Sequence, residues 1–187
     1  MKTVRIGLIR HFEVTKPMPS GWLTLLDLTR WREAYDQAEI IPRALDLGGI
    51  DWRECFSSDL PRAVLTAQAA FPGAIKQLPE LREPQVLQYQ SGRLKLPLGA
   101  WRWILRLAWM SSHSSQRSTK VEFVARVRTF ADEILATAQH DTLIVSHAGI
   151  MAFLRKELLR LGFTGPRFGL AQNGKLYLFE KTSGGTR

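Results

Sequence analysis

Short β-rich runs alternate with helix-patterned segments along this chain, and the alternation limits the folds that it can adopt. Strand-like runs cover residues 4–9, 52–57, 142–146 and 175–180, a short extended segment covers 77–83, and helix-compatible stretches cover 25–38, 60–71, 121–138 and 150–162. Elements in this order favour a mostly parallel sheet with helices on both faces. The sequence therefore predicts an α/β fold, a three-layer α/β/α sandwich around a mostly parallel central sheet.

One long segment, residues 84–120, interrupts this alternation. It is rich in Arg, Leu, Trp and Ser, and it lies between two regular strand–helix units. A length of 187 residues favours one domain over two. We therefore expect a single domain over residues 1–187, with residues 84–120 forming a small cap inserted over the edge of the sheet.

Tryptophan and arginine are interleaved within this insertion. Trp101, Trp103 and Trp109 lie close in sequence to Arg102 and Arg106, and the two arginines share one face if the segment is helical. Three interpretations are open: a lid that packs its Trp and Leu residues on the core, a segment that lies on an acidic membrane surface, and a nucleic-acid-binding segment. Apolar periodicity favours the lid.

The charge balance predicts anionic partners. The chain has 26 Lys and Arg against 17 Asp and Glu, for a net charge of +9 at pH 7. Such a positive field favours phosphate esters, nucleic acids and acidic lipid surfaces without selecting among them. Cys55 is the single cysteine, so an internal disulfide and a cysteine-built zinc site are excluded. We expect a cytoplasmic protein, because a reducing compartment suits this cysteine content and no apolar run is long enough to span a bilayer.

Two of the four histidines, His11 and His147, lie at the ends of predicted strands. In open α/β sheets, ligands bind at the carboxyl ends of the strands. Arg10 precedes His11, and Arg62 lies in the first turn of the helix predicted at residues 60–71. If the strands are neighbours, these four side chains converge, and their guanidinium and imidazole groups match the oxygens of a phosphoryl group.

Other polar residues near these strand ends are expected to have structural roles. Asp59 is a good N-cap for the helix that follows it, and Ser57 or Ser58 is expected to cap that helix rather than to touch phosphate. Cys55 lies in an apolar strand context and is expected to be a core residue rather than a nucleophile.

Four motifs resemble, in the right order, the signatures of the histidine phosphatase superfamily, which includes the phosphoglycerate mutases. LIRHFE at 8–13 resembles its Arg-His-Gly-Glu motif, and SSDLPRAVLTA at 57–67 is similar to its Ser-Ser-Asp-Leu-x-Arg-Ala-x-x-Thr-Ala segment. LRE at 81–83 resembles the segment that carries the family's acid, and TLIVSHAGIM at 142–151 resembles its Ser-His strand-turn. The resemblance runs from about residue 3 to residue 180 and is weakest over the insertion.

The resemblance implies a role for each matching residue. His11 becomes the nucleophile and forms a phosphohistidine, while Arg10, Arg62 and His147 bind the phosphoryl oxygens. Glu83 becomes the acid that protonates the leaving oxygen and then the base that activates water. The implied protein is a phosphomonoesterase that acts on a small phosphorylated substrate and needs no cofactor and no metal ion.

Two departures from the family pattern bear on this interpretation. Phe12 stands where the family has glycine, which permits close approach and unusual backbone angles. The segment after Glu83 lacks the family's Gly-x-Trp pattern. This segment helps to build the family's substrate-recognising cap, so the resemblance does not imply which substrate is bound. A catalytically weak phosphate- or phosphoprotein-binding module is one alternative, and phosphoglycerate mutase-type phosphoryl transfer is another. The loop at residues 12–22 lacks the mutases' Ser-x-Trp-Asn pattern, which favours hydrolysis over transfer.

Overall fold

The computed structural model describes residues 2–83, 93–111 and 113–183. Within them, nine strands form, in chain order: β1 (Lys2–Arg10), β2 (Glu13–Val14), β3 (Trp22–Leu23), β4 (Ile40–Ile41), β5 (Glu54–Ser58), β6 (Ile75–Leu78), β7 (Leu96–Pro97), β8 (Thr142–Ser146) and β9 (Leu176–Ser183). Five α-helices accompany them: α1 (Leu25–Asp36), α2 (Pro61–Ala70), α3 (Leu98–Met110), α4 (Ser114–Phe130) and α5 (Ala148–Arg160). A π-helical turn, Ala131–Leu135, continues α4. None of the described helices combines the length and the apolar character that crossing a membrane requires.

Five strands form the central sheet in the order β6–β5–β8–β1–β9. The first four are mutually parallel, and β9 pairs antiparallel with β1 at one edge. The predicted mostly parallel sheet is therefore confirmed. Because the four parallel strands share one direction, the carboxyl ends of β1, β5 and β8 lie at the same end of the sheet.

Apolar side chains fill both faces of this sheet. Along β8, Leu143 and Val145 pack with the cluster that contains α2, whereas Ile144 between them packs with the cluster that contains α4 and α5. This alternation is the period of two that a pleated strand imposes. Each face thus has its own buried cluster and its own helices, which confirms the three-layer sandwich.

Gly7, in the middle of β1, is required by the packing of the α2 face. A Cβ at this position would lie 2.8 Å from side-chain carbons of Trp52, Leu143 and Leu176, closer than real side chains approach. The Trp52 indole occupies this space and donates its Nε1–H to the Leu47 carbonyl at 3.2 Å. Forcing an extra carbon into such a site costs about 1–3 kcal/mol, so glycine permits the tight packing beside the strand that carries His11.

The predicted insertion lies partly outside the described residues, at 84–92 and 112. In the described part, β7 pairs with β3 and leads into α3. Trp101 is buried and donates its Nε1–H to the Leu23 carbonyl at 2.7 Å, and Trp109 packs edge-to-face on Phe123 with ring centroids 5.9 Å apart. Trp103, by contrast, is 67% exposed. Trp101 and Trp109 are therefore packed as the lid interpretation expects, whereas Trp103 is not.

Several local predictions need correction. The predicted helix at residues 121–138 begins earlier, at Ser114, so the end of the predicted insertion is helical. The extended segment predicted at 77–83 is shorter: β6 ends at Leu78, and a 3₁₀ turn, Pro79–Leu81, follows.

Asp59 does not cap α2, which begins at Pro61 with Leu60 at the cap position and no side-chain capping bond. The Asp59 carboxylate instead accepts two hydrogen bonds from the Arg82 guanidinium, both at 2.6 Å. The pair with Arg82 gives the carboxylate two hydrogen bonds from a charged donor, whereas a cap would give it bonds from neutral backbone N–H groups, which explains the difference. Cys55 is buried as expected, and burial raises the pKa of its thiol to about 12.

Candidate active site

The carboxyl ends of β1 and β8 bring His11 and His147 together. The strands are parallel neighbours with Arg10 opposite Ser146, and the backbone N–H of His11 donates to the backbone carbonyl of Ser146 at 2.9 Å. Both histidines are buried. Their ring centroids lie 5.1 Å apart, with the ring planes tilted by 60°. The two histidines singled out in the sequence therefore share one buried site.

A hydrogen bond determines which nitrogen of His11 carries the proton. Nδ1 lies 2.6 Å from the Phe12 carbonyl oxygen, which only accepts hydrogen bonds. Nδ1 therefore carries the hydrogen, and in the neutral ring Nε2 keeps its lone pair.

The Phe12 backbone that accepts this bond is itself anchored. Its N–H donates to Thr66 Oγ1 at 2.9 Å. Its ring is fully buried and packs against Gly174, where a Cβ would lie 3.0 Å from the ring. The phenylalanine that replaces the family's glycine thus places its side chain in the core, and the loop keeps its contact with His11.

Burial and nearby cations hold both imidazoles neutral. Burial, then the charge of Arg62, lowers the pKa of His11 to about 3, although the bond to Phe12 acts in the opposite direction. Burial is also the main cause that lowers the pKa of His147 well below its ordinary value, with Arg62 next. A neutral imidazole with a free lone pair is a nucleophile.

Arg62 reaches this site from the first turn of α2 and is held there by α1. Its side chain is 4% exposed, and one terminal nitrogen donates to Asp36 Oδ1 at 2.6 Å. Its guanidinium carbon also lies 5.1 Å from the centroid of the Tyr35 ring. These two contacts fix the plane of the guanidinium.

Three buried nitrogens of the site have no hydrogen-bond partner among the described residues: Nε of Arg10, Nε of Arg62 and Nδ1 of His147. Arg10 donates from a terminal nitrogen to the Ala171 carbonyl at 2.8 Å, but it forms no ion pair within the described ranges. An unsatisfied buried polar atom costs about 1–3 kcal/mol. Their clustering beside two histidines indicates a position for acceptor oxygens of an anion.

Ser58, which we expected to cap α2, contacts His147. Its Oγ lies 2.9 Å from His147 Nε2, while its bond from the Leu60 N–H is long, at 3.4 Å. Ser57 Oγ donates to the Ser58 carbonyl at 2.8 Å and also does not cap the helix. The contact with Ser58 orients the His147 ring and leaves Nδ1 as the nitrogen that is available to a ligand.

The Glu83 side chain lies against the N-terminus of α5, the helix that follows His147 in the chain. Its Oε1 accepts a hydrogen bond from the Gly149 N–H at 2.7 Å, and a Cβ at residue 149 would collide with the carboxylate. Ser146 Oγ donates to the Leu81 carbonyl at 2.7 Å, which ties the turn that carries Glu83 to β8. The five residues named from the sequence therefore lie around the carboxyl ends of β1 and β8: Arg10, His11, Arg62, Glu83 and His147.

Burial raises the pKa of Glu83 above its ordinary value. The Gly149 hydrogen bond and the charges of Arg32, Arg10 and Arg62 act in the opposite direction without cancelling the effect of burial. A carboxyl group with a raised pKa holds its proton closer to neutral pH, as a general acid must.

Sequence reasoning missed four residues of this site. Arg32, Tyr35 and Asp36 come from α1, none of whose residues is fully buried and which carries no motif that marks a site. Asn173 donates from Nδ2 to the His11 carbonyl at 2.8 Å, from a loop that no motif marks. The contacts of Asp36 with Arg62 and of Asn173 with His11 join residues that lie far apart in the chain, so no local pattern marked them.

Comparison with known families decides the relationship of this chain. A family model described as histidine phosphatase superfamily, branch 1, matches residues 7–187. The chain belongs to the histidine phosphatase superfamily. The resemblance carried by the four sequence motifs is thereby confirmed. No curated protein sequence matches the chain significantly.

Solved structures show the same superfamily fold. Mycobacterial glucosyl-3-phosphoglycerate phosphatase with VO3 bound is 22% identical over 94% of this chain and 92% of its own, with a TM-score of 0.54. The same enzyme with inorganic phosphate is 23% identical over 84% of this chain and 79% of its own, with a TM-score of 0.51. A structure called mycobacterial hydrolase 2 is 16% identical over 100% of this chain and 85% of its own, with a TM-score of 0.54.

The lowered pKa of His11 predicts an unusual titration. In ¹⁵N NMR spectra of histidine-labelled protein, His11 should stay neutral, with its proton on Nδ1, down to about pH 4, since its folded-state pKa is about 3. The unfolded chain takes up this proton near pH 6.5, so the free energy of unfolding should fall as the pH decreases from about 6.5 towards 3.

His11→Asn, which removes the titrating group, should assign the NMR signal and reduce that pH dependence in urea unfolding. A His11 signal that titrates near pH 6.5 would contradict the burial and charge arguments made for this site.

Proposed function

We propose that this chain is a phosphomonoesterase that acts through a phosphohistidine formed at Nε2 of His11. The observation that carries the proposal is the hydrogen bond between His11 Nδ1 and the Phe12 carbonyl, since it leaves the lone pair at Nε2. The unpartnered Nε–H groups of Arg10 and Arg62 would bind the phosphoryl oxygens of a small phosphorylated substrate. His147 would add a third donor at Nδ1 in the tautomer in which Nε2 accepts from the Ser58 hydroxyl.

In the first half-reaction, His11 Nε2 attacks phosphorus. The N–P bond forms while the P–O bond to the leaving alcohol breaks, and the Phe12 carbonyl stabilises the positive charge that the ring acquires. Arg10 and Arg62 offset the negative charge on the phosphoryl oxygens, which is the main requirement of phosphoryl transfer. Protonated Glu83 gives its proton to the leaving oxygen, so a neutral alcohol departs.

In the second half-reaction, water replaces the alcohol. The Glu83 carboxylate takes a proton from the water as its oxygen attacks phosphorus, and the N–P bond breaks. Inorganic phosphate leaves, while His11 returns to its neutral form and Glu83 to its protonated form. Atoms and charges balance without a cofactor or a metal ion.

The conformation of the loop at Phe12 favours hydrolysis over a role as a phosphate- or phosphoprotein-binding module. Phe12 was the reason to consider a weak active site, yet its carbonyl bonds to His11 and its ring lies in the core. The shared fold with a phosphatase that binds inorganic phosphate supports the same choice. Mutase-type transfer is separated by product analysis, because it delivers the phosphoryl group to a second alcohol instead of to water.

Rapid-quench labelling tests the nucleophile. With a ³²P-labelled aryl phosphate, the wild type should form an adduct that is labile in acid and stable in base, as expected of phosphohistidine. His11→Ala should lose both the adduct and turnover, while His140→Ala, which alters an exposed histidine outside the site, should keep both. The reaction should proceed in EDTA.

An acid-stable adduct, or turnover by His11→Ala close to the wild-type rate, would contradict this mechanism. Binding of phosphate without turnover in the wild type would favour the binding-module alternative.

Replacing Glu83 tests the general acid. Glu83→Gln keeps an acceptor oxygen for the Gly149 N–H but has no proton to give. We expect alkyl phosphates, whose alkoxide leaves poorly, to lose about 10²–10⁴-fold in kcat/KM, and activated aryl phosphates to lose much less. Glu80→Gln, at an exposed position of the preceding turn, is the matched control and should leave kcat/KM unchanged for both substrate classes. Equal, small losses for both classes would remove Glu83 from the mechanism.

A further inference from the structure

A groove between α3 and α5 opens beside Glu83. It encloses about 730 Å³, and its walls include Glu83, Gly149 and Phe153 on one side and Arg102, Trp103 and Arg106 on the other. We call it the α3–α5 groove. In the proposed mechanism, Glu83 protonates the leaving oxygen, so the alcohol part of the substrate must extend from phosphorus towards Glu83. The groove therefore lies where the leaving group has to be held.

Two cations in the groove have no partner among the described residues. Arg102 and Arg106 lie one turn apart on α3, and neither forms an ion pair or a hydrogen bond with any described residue. The sequence contains no Asp or Glu from residue 84 to residue 121. Like charges four residues apart destabilise a helix slightly. A pair of arginines at this spacing, in a concave surface whose other described residues carry no positive charge, suits an anionic group of a ligand.

Three aromatic side chains, Trp103, Trp109 and Phe153, also line the groove. Trp109 and Phe153 both pack edge-to-face on Phe123, with ring centroids 5.9 and 5.0 Å from it, so they form a fixed apolar wall. Trp103 lines the groove and is 67% exposed, so its indole is not used in packing the core. An exposed indole beside two arginines offers a surface on which a flat, apolar group can stack.

From this combination we infer the class of substrate: a phosphomonoester whose alcohol part is a flat apolar group that carries a second anionic group, either a carboxylate or a phosphate. The inference rests on the proposed function, because Glu83 is what directs the leaving group into the groove. Arg102 and Arg106 bind the second anion, and Trp103 stacks on the flat part. Arg10 and Arg62 bind the phosphoryl group that is transferred.

Binding to the His11→Ala variant tests this assignment without turnover. Isothermal titration should compare 2-naphthyl phosphate with two analogues that carry a carboxylate or a second phosphate at ring position 6. We expect each doubly anionic ester to bind roughly 10- to 100-fold more tightly than the neutral-ring ester, the range for a charge-assisted contact. The two analogues distinguish a carboxylate-specific from a phosphate-specific subsite.

Three variants in the same background locate the subsite. Arg102→Gln/Arg106→Gln should abolish the preference for the second anion and leave 2-naphthyl phosphate affinity nearly unchanged. Arg53→Gln/Lys76→Gln removes two exposed cations outside the groove and should keep the preference. Trp103→Ala should reduce the affinity of naphthyl relative to phenyl phosphate.

Equal affinity for the neutral and doubly anionic esters, or no measurable binding of any of them, would overturn the assignment. Loss of the preference in the Arg53/Lys76 control would do the same, since it would point to long-range charge alone. If the binding pattern holds while the wild type hydrolyses none of the esters, the groove assignment stands and the proposed function fails.

Discussion

The parallel pairing of β1 with β8 is the constraint on which the rest of the site depends. Arg10 lies opposite Ser146 in this register, so the residues that follow each strand, His11 and His147, must leave the sheet side by side. A shift of one residue would turn these side chains to the other face. The buried clusters on the two faces of the sheet hold the register, because Ile144 and its neighbours fill opposite layers.

This arrangement concentrates positive charge at one buried place. Arg62 has the Asp36 carboxylate as a partner, but Arg10 has no acidic partner within the described ranges. Burying cations and donors without partners opposes folding. In the proposed mechanism a phosphoryl group satisfies them, so the same feature that costs stability in the free protein would bind the ligand. Burial, and next the charge of Arg62, lowers the pKa of His11, so its imidazole stays neutral and therefore nucleophilic.

The sequence predicted those parts of the fold and site that depend on one strand or one strand end. In a parallel sheet, a residue that follows a strand has a known place in space, so the motif histidines could be located. Arg32 and Asp36 could not, because α1 follows no strand of the central sheet directly, and none of its residues is fully buried. Ser58 could cap a helix or bond to His147, and that choice depends on a residue far along the chain. The exposure of Trp103 depends on how α3 turns against α4, which local pattern does not encode.

A crystal structure with vanadate bound tests the central claim most directly, because vanadate adopts the geometry of a phosphoryl group in transfer. We predict vanadium bonded to Nε2 of His11, with Nε of Arg10, Nε of Arg62 and Nδ1 of His147 each about 2.7–3.2 Å from a vanadate oxygen. Glu83 should lie beside the apical oxygen that faces the α3–α5 groove. Vanadate bonded to another residue, or bound without contact to His11, would contradict the account.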